Sequence, residues 1–177
     1  FYIDTIDIHG PFASAEDLPE SHKRVFLCSD ESDDCARRII ADFARRAWRR
    51  PVTETEITKL LRFVGMARQE GDSFRQGIAL AVKATLVSPN FLFRIEPEGA
   101  RELNDFELAS RLSYFLWSSM PDDQLFQLAQ QGTLRKPAVL TAEVKRMLAD
   151  PKSAALADNF AGQWLELRNL AQVNPNP

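Results

Sequence analysis

The residue types that most often carry catalysis are scarce in this chain. The two histidines, His9 and His22, both lie in the N-terminal segment, ahead of the regular helical patterns. Histidine is the commonest general base near neutral pH, so a Ser–His–Asp arrangement is not expected inside the helical core. The chain also has no Glu-x-x-His pair for a dimetal site and no glycine-rich phosphate loop. We therefore predict no catalytic, cofactor-binding or metal-binding residue in this segment.

Two cysteines, Cys28 and Cys35, are separated by six residues of an acidic loop. This spacing matches neither the CxxC redox motif nor the CxxCH haem attachment, and two histidines in the whole chain are poor support for a zinc site. A disulfide would close a small loop and contribute roughly 2–3 kcal/mol in the chain-entropy model. The alternative is two free thiols, one of them packed on a helix. The residues alone leave both readings open.

Three further groups have side chains that could do chemistry. Asp122 and Asp123 are adjacent carboxylates, but neighbours on a helix point about 100° apart, and both stand where a helix N-terminus favours acids. The aromatic and methionine side chains could line a pocket or ligate a haem. We interpret them as packing, because they recur at helical spacing; they are Tyr114, Phe115, Trp117, Met66, Met120 and Met147.

Any site would have to be positioned by helices. The apolar periodicity predicts an all-α fold of about seven helices in two consecutive small bundles. Capping boxes begin two of these helices, Thr53 with Glu56 and Asn104 with Glu107. A short β-strand is predicted for residues 1–8, followed by a linker over residues 13–24. The last helix is predicted from about Ser153 to Asn169, with its large apolar residues packed inward: Leu156, Phe160, Trp164 and Leu167.

The helix predicted over residues 33–48 has an unusual concentration of arginine on one side. Its apolar face includes Ile39 and Ile40, and the opposite side carries Arg37, Arg38, Arg45, Arg46 and Arg49. We interpret the arginines as a solvated face that pairs with neighbouring acids. Phe91, Leu92 and Phe93 are predicted to fill the core.

The predicted domain boundaries follow the stretch Glu96-Pro-Glu-Gly-Ala100, which combines proline, glycine and charge. Residues 1–24 are assigned to the end of a preceding domain and a linker, 25–96 to a first helical domain and 103–177 to a second. The chain starts and ends in segments that suggest a piece of a longer polypeptide, with the second domain incomplete.

Composition excludes two classes of partner. The net charge of −3 and the pI near 5.5 give no electrostatic basis for binding nucleic acid. The longest apolar run, residues 78–82, is far too short to span a bilayer.

Several strings, in this order, resemble a known family. They are Cys35-Ala-Arg-Arg-Ile39, Arg46-Ala-Trp-Arg-Arg-Pro-Val52, Ser88-Pro-Asn-Phe-Leu-Phe-Arg94, Leu108-Ala-Ser-Arg-Leu-Ser-Tyr-Phe-Leu-Trp117, Arg146-Met-Leu-Ala-Asp-Pro151 and Phe160-Ala-Gly-Gln-Trp-Leu165. Together they resemble the consecutive helical domains of unknown function in large planctomycete proteins that contain cytochrome c domains. The resemblance covers roughly residues 25–177.

The resemblance implies an exported protein, periplasmic or in the cell envelope, in which c-type haem is carried by other segments or partner chains. An oxidising compartment would favour the Cys28–Cys35 disulfide. The chain itself has no CxxCH, so no haem attachment is carried over to it. The expected function is a non-catalytic helical scaffold that docks against haem-bearing domains. The alternative is one part of a peroxidase-like haem oxidoreductase whose cofactor site lies in other segments.

Overall fold

The structure, a computed structural model, describes residues 19–93 and 102–166. These residues are helical with no β-strand, which confirms the predicted all-α fold. In chain order the α-helices are α1 (Glu20–Val25), α2 (Asp33–Trp48), α3 (Glu54–Gln69), α4 (Phe74–Leu86), α5 (Pro89–Leu92), α6 (Asp105–Trp117), α7 (Asp123–Gln130), α8 (Pro137–Ala149) and α9 (Gly162–Trp164). A 3₁₀-helix (Pro151–Ser153) and a π-helix (Leu156–Ala161) lie between α8 and α9.

The described residues divide into two compact units. Residues 19–44 and 53–85 form the first unit, and residues 45–52, 86–93 and 102–166 form the second. The last turn of α2 and the short helix α5 are therefore assigned to the second unit. This division into compact units does not test the domain boundaries predicted from the sequence, 25–96 and 103–177, which stay a prediction.

The first unit is built from α1, α3, α4 and the first three turns of α2. Ser32 caps α2, since its hydroxyl accepts a hydrogen bond from the Cys35 amide at 3.0 Å. The predicted capping box begins α3: Thr53 N donates to Glu56 Oε2 at 2.9 Å, and Glu56 N donates to the Thr53 hydroxyl at 3.3 Å. The buried apolar residues of this unit are Cys35, Ala36, Ile39, Ile40, Ala44, Ile57, Leu60, Val64, Ala67, Phe74, Ile78 and Ala81.

The two cysteines of the first unit are joined in a disulfide, Cys28–Cys35, with Cα atoms 6.0 Å apart. Cys35 is fully buried on α2, whereas Cys28 is half-buried in the loop that precedes it. The bond therefore ties the chain after α1 to the first turn of α2.

The second unit packs around Trp117, at the end of α6. Its indole Nε1 donates to the carbonyl oxygen of Met147 at 2.9 Å, which satisfies the only donor of a buried ring. Asp122 caps α7 by accepting from Leu125 N at 2.9 Å, and its carboxylate also binds Arg146. The buried cluster is Ala109, Leu116, Trp117, Leu125, Ala129, Leu134 and Met147.

The structure corrects one prediction near the N-terminus. The linker predicted over residues 13–24 is helical at its end, because α1 spans Glu20–Val25. The strand predicted for residues 1–8 lies outside the described residues.

Two apolar segments of the second unit are more exposed than predicted. Leu92 and Phe93 are exposed and Phe91 is only partly buried, because α5 is a single turn and too short to present a buried face. The regular helix expected from Ser153 is instead a 3₁₀-helix, a π-helix and one α-helical turn. Leu156 packs on the buried cluster, but Phe160 and Trp164 do not. Leu167 lies outside the described residues.

Candidate functional site

An arginine-lined cavity of about 650 Å³ lies within the second unit. We call it the arginine cavity. Its wall comes from the chain just after α2, from α5 with the residue that follows it, and from the first two turns of α6. The lining residues are Trp48, Arg49, Arg50, Pro51, Asn90, Phe93, Asn104, Phe106, Glu107, Ser110 and Arg111. The volume is within the range of cavities that bind small molecules.

Local sequence determines how each wall is formed. Pro51 disfavours the α conformation at Arg50, so α2 ends at Trp48 and the chain turns. On the opposite wall the predicted capping box fixes the start of α6: Asn104 N donates to Glu107 Oε2 at 2.8 Å, and Glu107 N donates to Asn104 Oδ1 at 2.9 Å. One carboxylate oxygen of Glu107 therefore accepts a hydrogen bond from the N-terminus of α6.

Arg49 is a buried side chain of the cavity with several hydrogen-bond acceptors. It adopts a left-handed backbone conformation (φ 58°) and is only 7% exposed. Its guanidinium donates to the carbonyl oxygens of Asn90 at 2.8 Å, Phe91 at 3.1 Å and Phe93 at 3.3 Å. These carbonyls belong to the C-terminal end of α5, which has no intrahelical donors for them. Arg49 thus caps α5 from outside.

Aromatic rings complete the environment of Arg49. Its guanidinium lies 5.8 Å from the centre of the Tyr114 ring and 6.0 Å from that of Phe91, within the range of cation–π attraction. The Tyr114 hydroxyl lies 3.5 Å from Nη1, at the limit of a hydrogen bond. The acceptors of this guanidinium are thus all neutral. Among the described residues, no carboxylate pairs with it.

The interpretation of the α2 arginines as one solvated face is partly wrong. Arg37 pairs with Glu54 and Arg38 with Asp34, as expected of surface residues. Arg45, by contrast, lies over the ring of Phe126, 5.0 Å from its centre, and Arg49 is buried. The helical-wheel argument fails for Arg49 because the residue follows the end of the helix. The motif Arg-Arg-Pro at residues 49–51 was the available indication of this, since the residue before proline leaves the helical conformation.

A second feature of this unit is an exposed set of aromatic rings, which we call the aromatic surface. It consists of Phe115 on α6, Phe160 on the π-helix and Trp164 on α9, which are 55%, 51% and 74% exposed. Phe115 and Phe160 meet edge to face with ring centres 5.7 Å apart, and Phe160 stacks on Trp164 at 6.1 Å. Asn159 donates to the Ser118 hydroxyl at 2.8 Å and links the π-helix to the end of α6.

The structure separates the residues that the sequence analysis grouped as aromatic and methionine packing. Trp117 and Met147 are core residues, as predicted. Phe115, Met66 and Met120 are exposed, so the packing interpretation is wrong for them. Tyr114 contacts Arg49 rather than filling the core. Asp122 has the predicted role at a helix N-terminus.

The candidate ligands for metals are also placed. His22 stacks on Phe26 within α1 and the following residue, with ring centres 4.4 Å apart, and His9 lies outside the described residues. Cys28, Asp30 and Cys35 form a close group. Because both sulfurs are in the disulfide, neither is a thiolate that could bind a metal.

In the described ranges, no helix has the length and apolar content needed to cross a membrane.

Comparison with known proteins identifies two consecutive domains. Residues 35–96 match PSD5, described as a protein of unknown function (DUF1595), and residues 103–177 match PSD4, described as a protein of unknown function (DUF1592). The chain thus resembles consecutive domains of unknown function, as the sequence strings indicate. No curated protein and no solved structure matches it.

Proposed function

We propose that this chain is a non-catalytic helical scaffold in a large exported protein, and that it docks on a c-type haem-bearing domain of the same protein or of a partner chain. The observation that carries the proposal is the aromatic surface. Three large rings, Phe115, Phe160 and Trp164, lie side by side and are each at least half exposed. Contiguous exposed apolar groups of this kind are typical of surfaces that bind another protein.

The composition of the aromatic surface supports an energetically significant contact. Aromatic residues are enriched at interfaces, and tryptophan above all is enriched among the residues that dominate binding energy. The rings already contact one another, so little side-chain entropy remains to be lost when a partner covers them. A groove beside Phe115 continues along α6 and is lined mainly by apolar and aromatic side chains, with one arginine: Leu108, Arg111, Leu112 and Tyr114.

Export and the association with haem are supported by separate arguments. A disulfide such as Cys28–Cys35 persists in oxidising compartments and is rare in the cytosol. The haem partner is inferred from the resemblance to domains that occur beside cytochrome c domains.

The test places a photo-crosslinking residue at Trp164 in the full-length protein purified from its native compartment. Crosslinked peptides that stain for haem, or that lie within a haem-bearing domain, are the expected result. The matched control carries the same crosslinker at Arg62, an exposed residue of α3 in the first unit. No Soret band in the native protein, or equal crosslinking from both positions, would contradict the proposal. Peroxidase turnover that is lost when Trp164 is replaced, with haem content unchanged, would favour the enzymatic alternative.

A further inference from the structure

We propose that Cys28, Cys35 and Asp30 form a binding site for Zn²⁺ when the disulfide between the two cysteines is reduced. The three residues lie in the first unit, and the inference does not depend on the proposed scaffold function. One sulfur from each cysteine and one carboxylate oxygen of Asp30 lie within 4.8 Å of one another. The same group would thus hold a disulfide in the oxidised chain and a metal ion in the reduced chain.

The three ligand atoms are close to the spacing that a zinc site needs. Zn²⁺ binds thiolate sulfur at about 2.3 Å and carboxylate oxygen at about 2.0–2.2 Å, so neighbouring ligand atoms of a tetrahedral site are about 3.5–3.8 Å apart. The two sulfurs separate when the bond between them breaks, and the Asp30 oxygen has to move by about 1 Å from its present limit of 4.8 Å. Three protein ligands leave the fourth position of the metal to water.

Solvent reaches the group through Cys28 and Asp30. Cys35 is fully buried, whereas Cys28 is half-buried and Asp30 is exposed. Cys28 and Asp30 also line a cavity of about 440 Å³. Both the cation and the reductant can therefore approach from the side of Cys28.

A dithiol reductant supplies the two thiolates. One thiolate of the reductant attacks the sulfur of Cys28, the S–S bond breaks, and Cys35 leaves as a thiolate. The second sulfur of the reductant then displaces Cys28 and closes the reductant's own disulfide, so two electrons pass to the cysteines. Cys35 lies in the first turn of α2, where the positive end of the helix dipole favours a negative charge. Zn²⁺ binds both cysteines as thiolates, and the two protons of the dithiol are released to solvent.

The charge of the loop favours a cation. The residues between the cysteines include four acids and no basic residue: Asp30, Glu31, Asp33 and Asp34. Arg38 lies 3.9 Å from the Asp30 carboxylate but pairs more closely with Asp34, at 3.1 Å. The Ser32 hydroxyl donates to Asp30 Oδ2. Since a carboxylate has further lone pairs on both oxygens, this bond orients Asp30 and still leaves it able to bind a metal.

Titration of the full-length protein with Cd²⁺ tests the site, because bonds between Cd²⁺ and thiolates absorb in the ultraviolet. The protein is reduced with a phosphine under nitrogen, freed of the reductant and titrated, then compared with a double variant, Cys28→Ser with Cys35→Ser, treated in the same way. We expect the unaltered protein to bind one more Cd²⁺ per chain than the double variant, and Zn²⁺ to displace that ion. Equal binding by the two proteins would overturn the proposal.

Two substitutions that keep both cysteines distinguish a three-ligand site from a simple pair of thiols. Asp30→Asn removes the carboxylate ligand and is expected to weaken Zn²⁺ binding by at least about tenfold, measured against a competing chelator. Asp123→Asn removes the same charge from an exposed residue of the second unit and is expected to leave binding unchanged. The proposal is also overturned if Asp30→Asn binds as tightly as the unaltered protein, or if the two variants weaken binding equally.

Discussion

The guanidinium of Arg49 donates a hydrogen bond of 2.8 Å to the carbonyl oxygen of Asn90, across 41 positions of sequence. This bond joins the end of α2 to the short helix α5 within the second unit. It also shows why Arg49 tolerates a backbone conformation that costs roughly 1–3 kcal/mol for a residue other than glycine. The hydrogen bonds of the Arg49 side chain offset the free-energy cost of its left-handed backbone.

Replacement of Arg49 by glycine has two opposing effects on the free energy of unfolding. Arg49→Gly relieves the left-handed strain at φ 58° but removes the donors of three carbonyl groups. The three acceptors share Nη2, whose two protons make at most two full bonds of roughly 1.5–3 kcal/mol each. Since the relieved strain offsets roughly 1–3 kcal/mol of this, we expect a net loss of about 2–3 kcal/mol in the free energy of unfolding. Urea unfolding followed by tryptophan fluorescence measures it. Equal or greater stability in the variant would mean that relief of the strain outweighs the lost bonds.

Asp105 is expected to contribute more to the free energy of unfolding than its salt bridge with Arg135 alone would. Its carboxylate is buried and accepts from Leu134 N at 2.9 Å and from Arg135 Nε at 2.6 Å. Asp105→Ala leaves the buried Leu134 amide without an acceptor, so we expect a loss of about 2–4 kcal/mol. Arg135→Ala keeps that acceptor but leaves the buried carboxylate without its half-exposed cation, so we expect a smaller loss of about 1–2 kcal/mol. Thermal unfolding of both variants compares them, and similar losses would refute the argument.

The Cys28–Cys35 disulfide is expected to raise the free energy of unfolding by a measurable amount. Cys28→Ser removes the cross-link while leaving the buried Cys35 in place. The free energy of unfolding should fall by about 2–3 kcal/mol, the amount expected for a loop this short. Reduction of the unaltered protein is the control and should give the same loss. Labelling of thiols in denaturant without reductant should modify neither cysteine of the unaltered protein; labelling of both would show that the bond is absent.

The same loop predicts a shifted acid titration. The hydrogen bond from the Ser32 hydroxyl, with a smaller contribution from Arg38, lowers the pKa of the Asp30 carboxyl below its ordinary value of 3.8. Since the folded-state pKa is the lower one, the stabilisation is present above the ordinary value and is lost as pH falls through the folded-state pKa. NMR titration of the Asp30 carboxyl should show a higher midpoint in Ser32→Ala and an unchanged one in Ser29→Ala. An unchanged midpoint in both would exclude Ser32 as the cause.

Local patterns in the sequence were sufficient for most of the helical framework. Thr53 with Glu56 and Asn104 with Glu107 form the predicted capping boxes, because these bonds join residues three positions apart and need no tertiary information. The inward faces of α2 and α3 follow the apolar spacing for the same reason, as Ile40 and Leu60 show.

The features that could not be predicted depend on distant contacts. Arg49 belongs to the cavity because the helix stops one residue before it and α5 supplies acceptors from far along the chain. Phe160 and Trp164 were expected in the core because spacing alone does not show where the opposing layer ends. Leu156 still packs on the buried cluster, whereas Phe160 and Trp164 are exposed.

The π-helix at Leu156–Ala161 makes this part of the chain tolerant of a change in length. A π-helical turn closes its hydrogen bonds over one more residue than an α-helical turn. Deleting one residue there would produce an ordinary α-helical turn and leave the flanking residues near their present orientation. The same deletion within α8 would rotate everything after it by about 100° around the helix axis. Related chains that differ by one residue at this point can therefore keep Phe160 and Trp164 aligned beside Phe115.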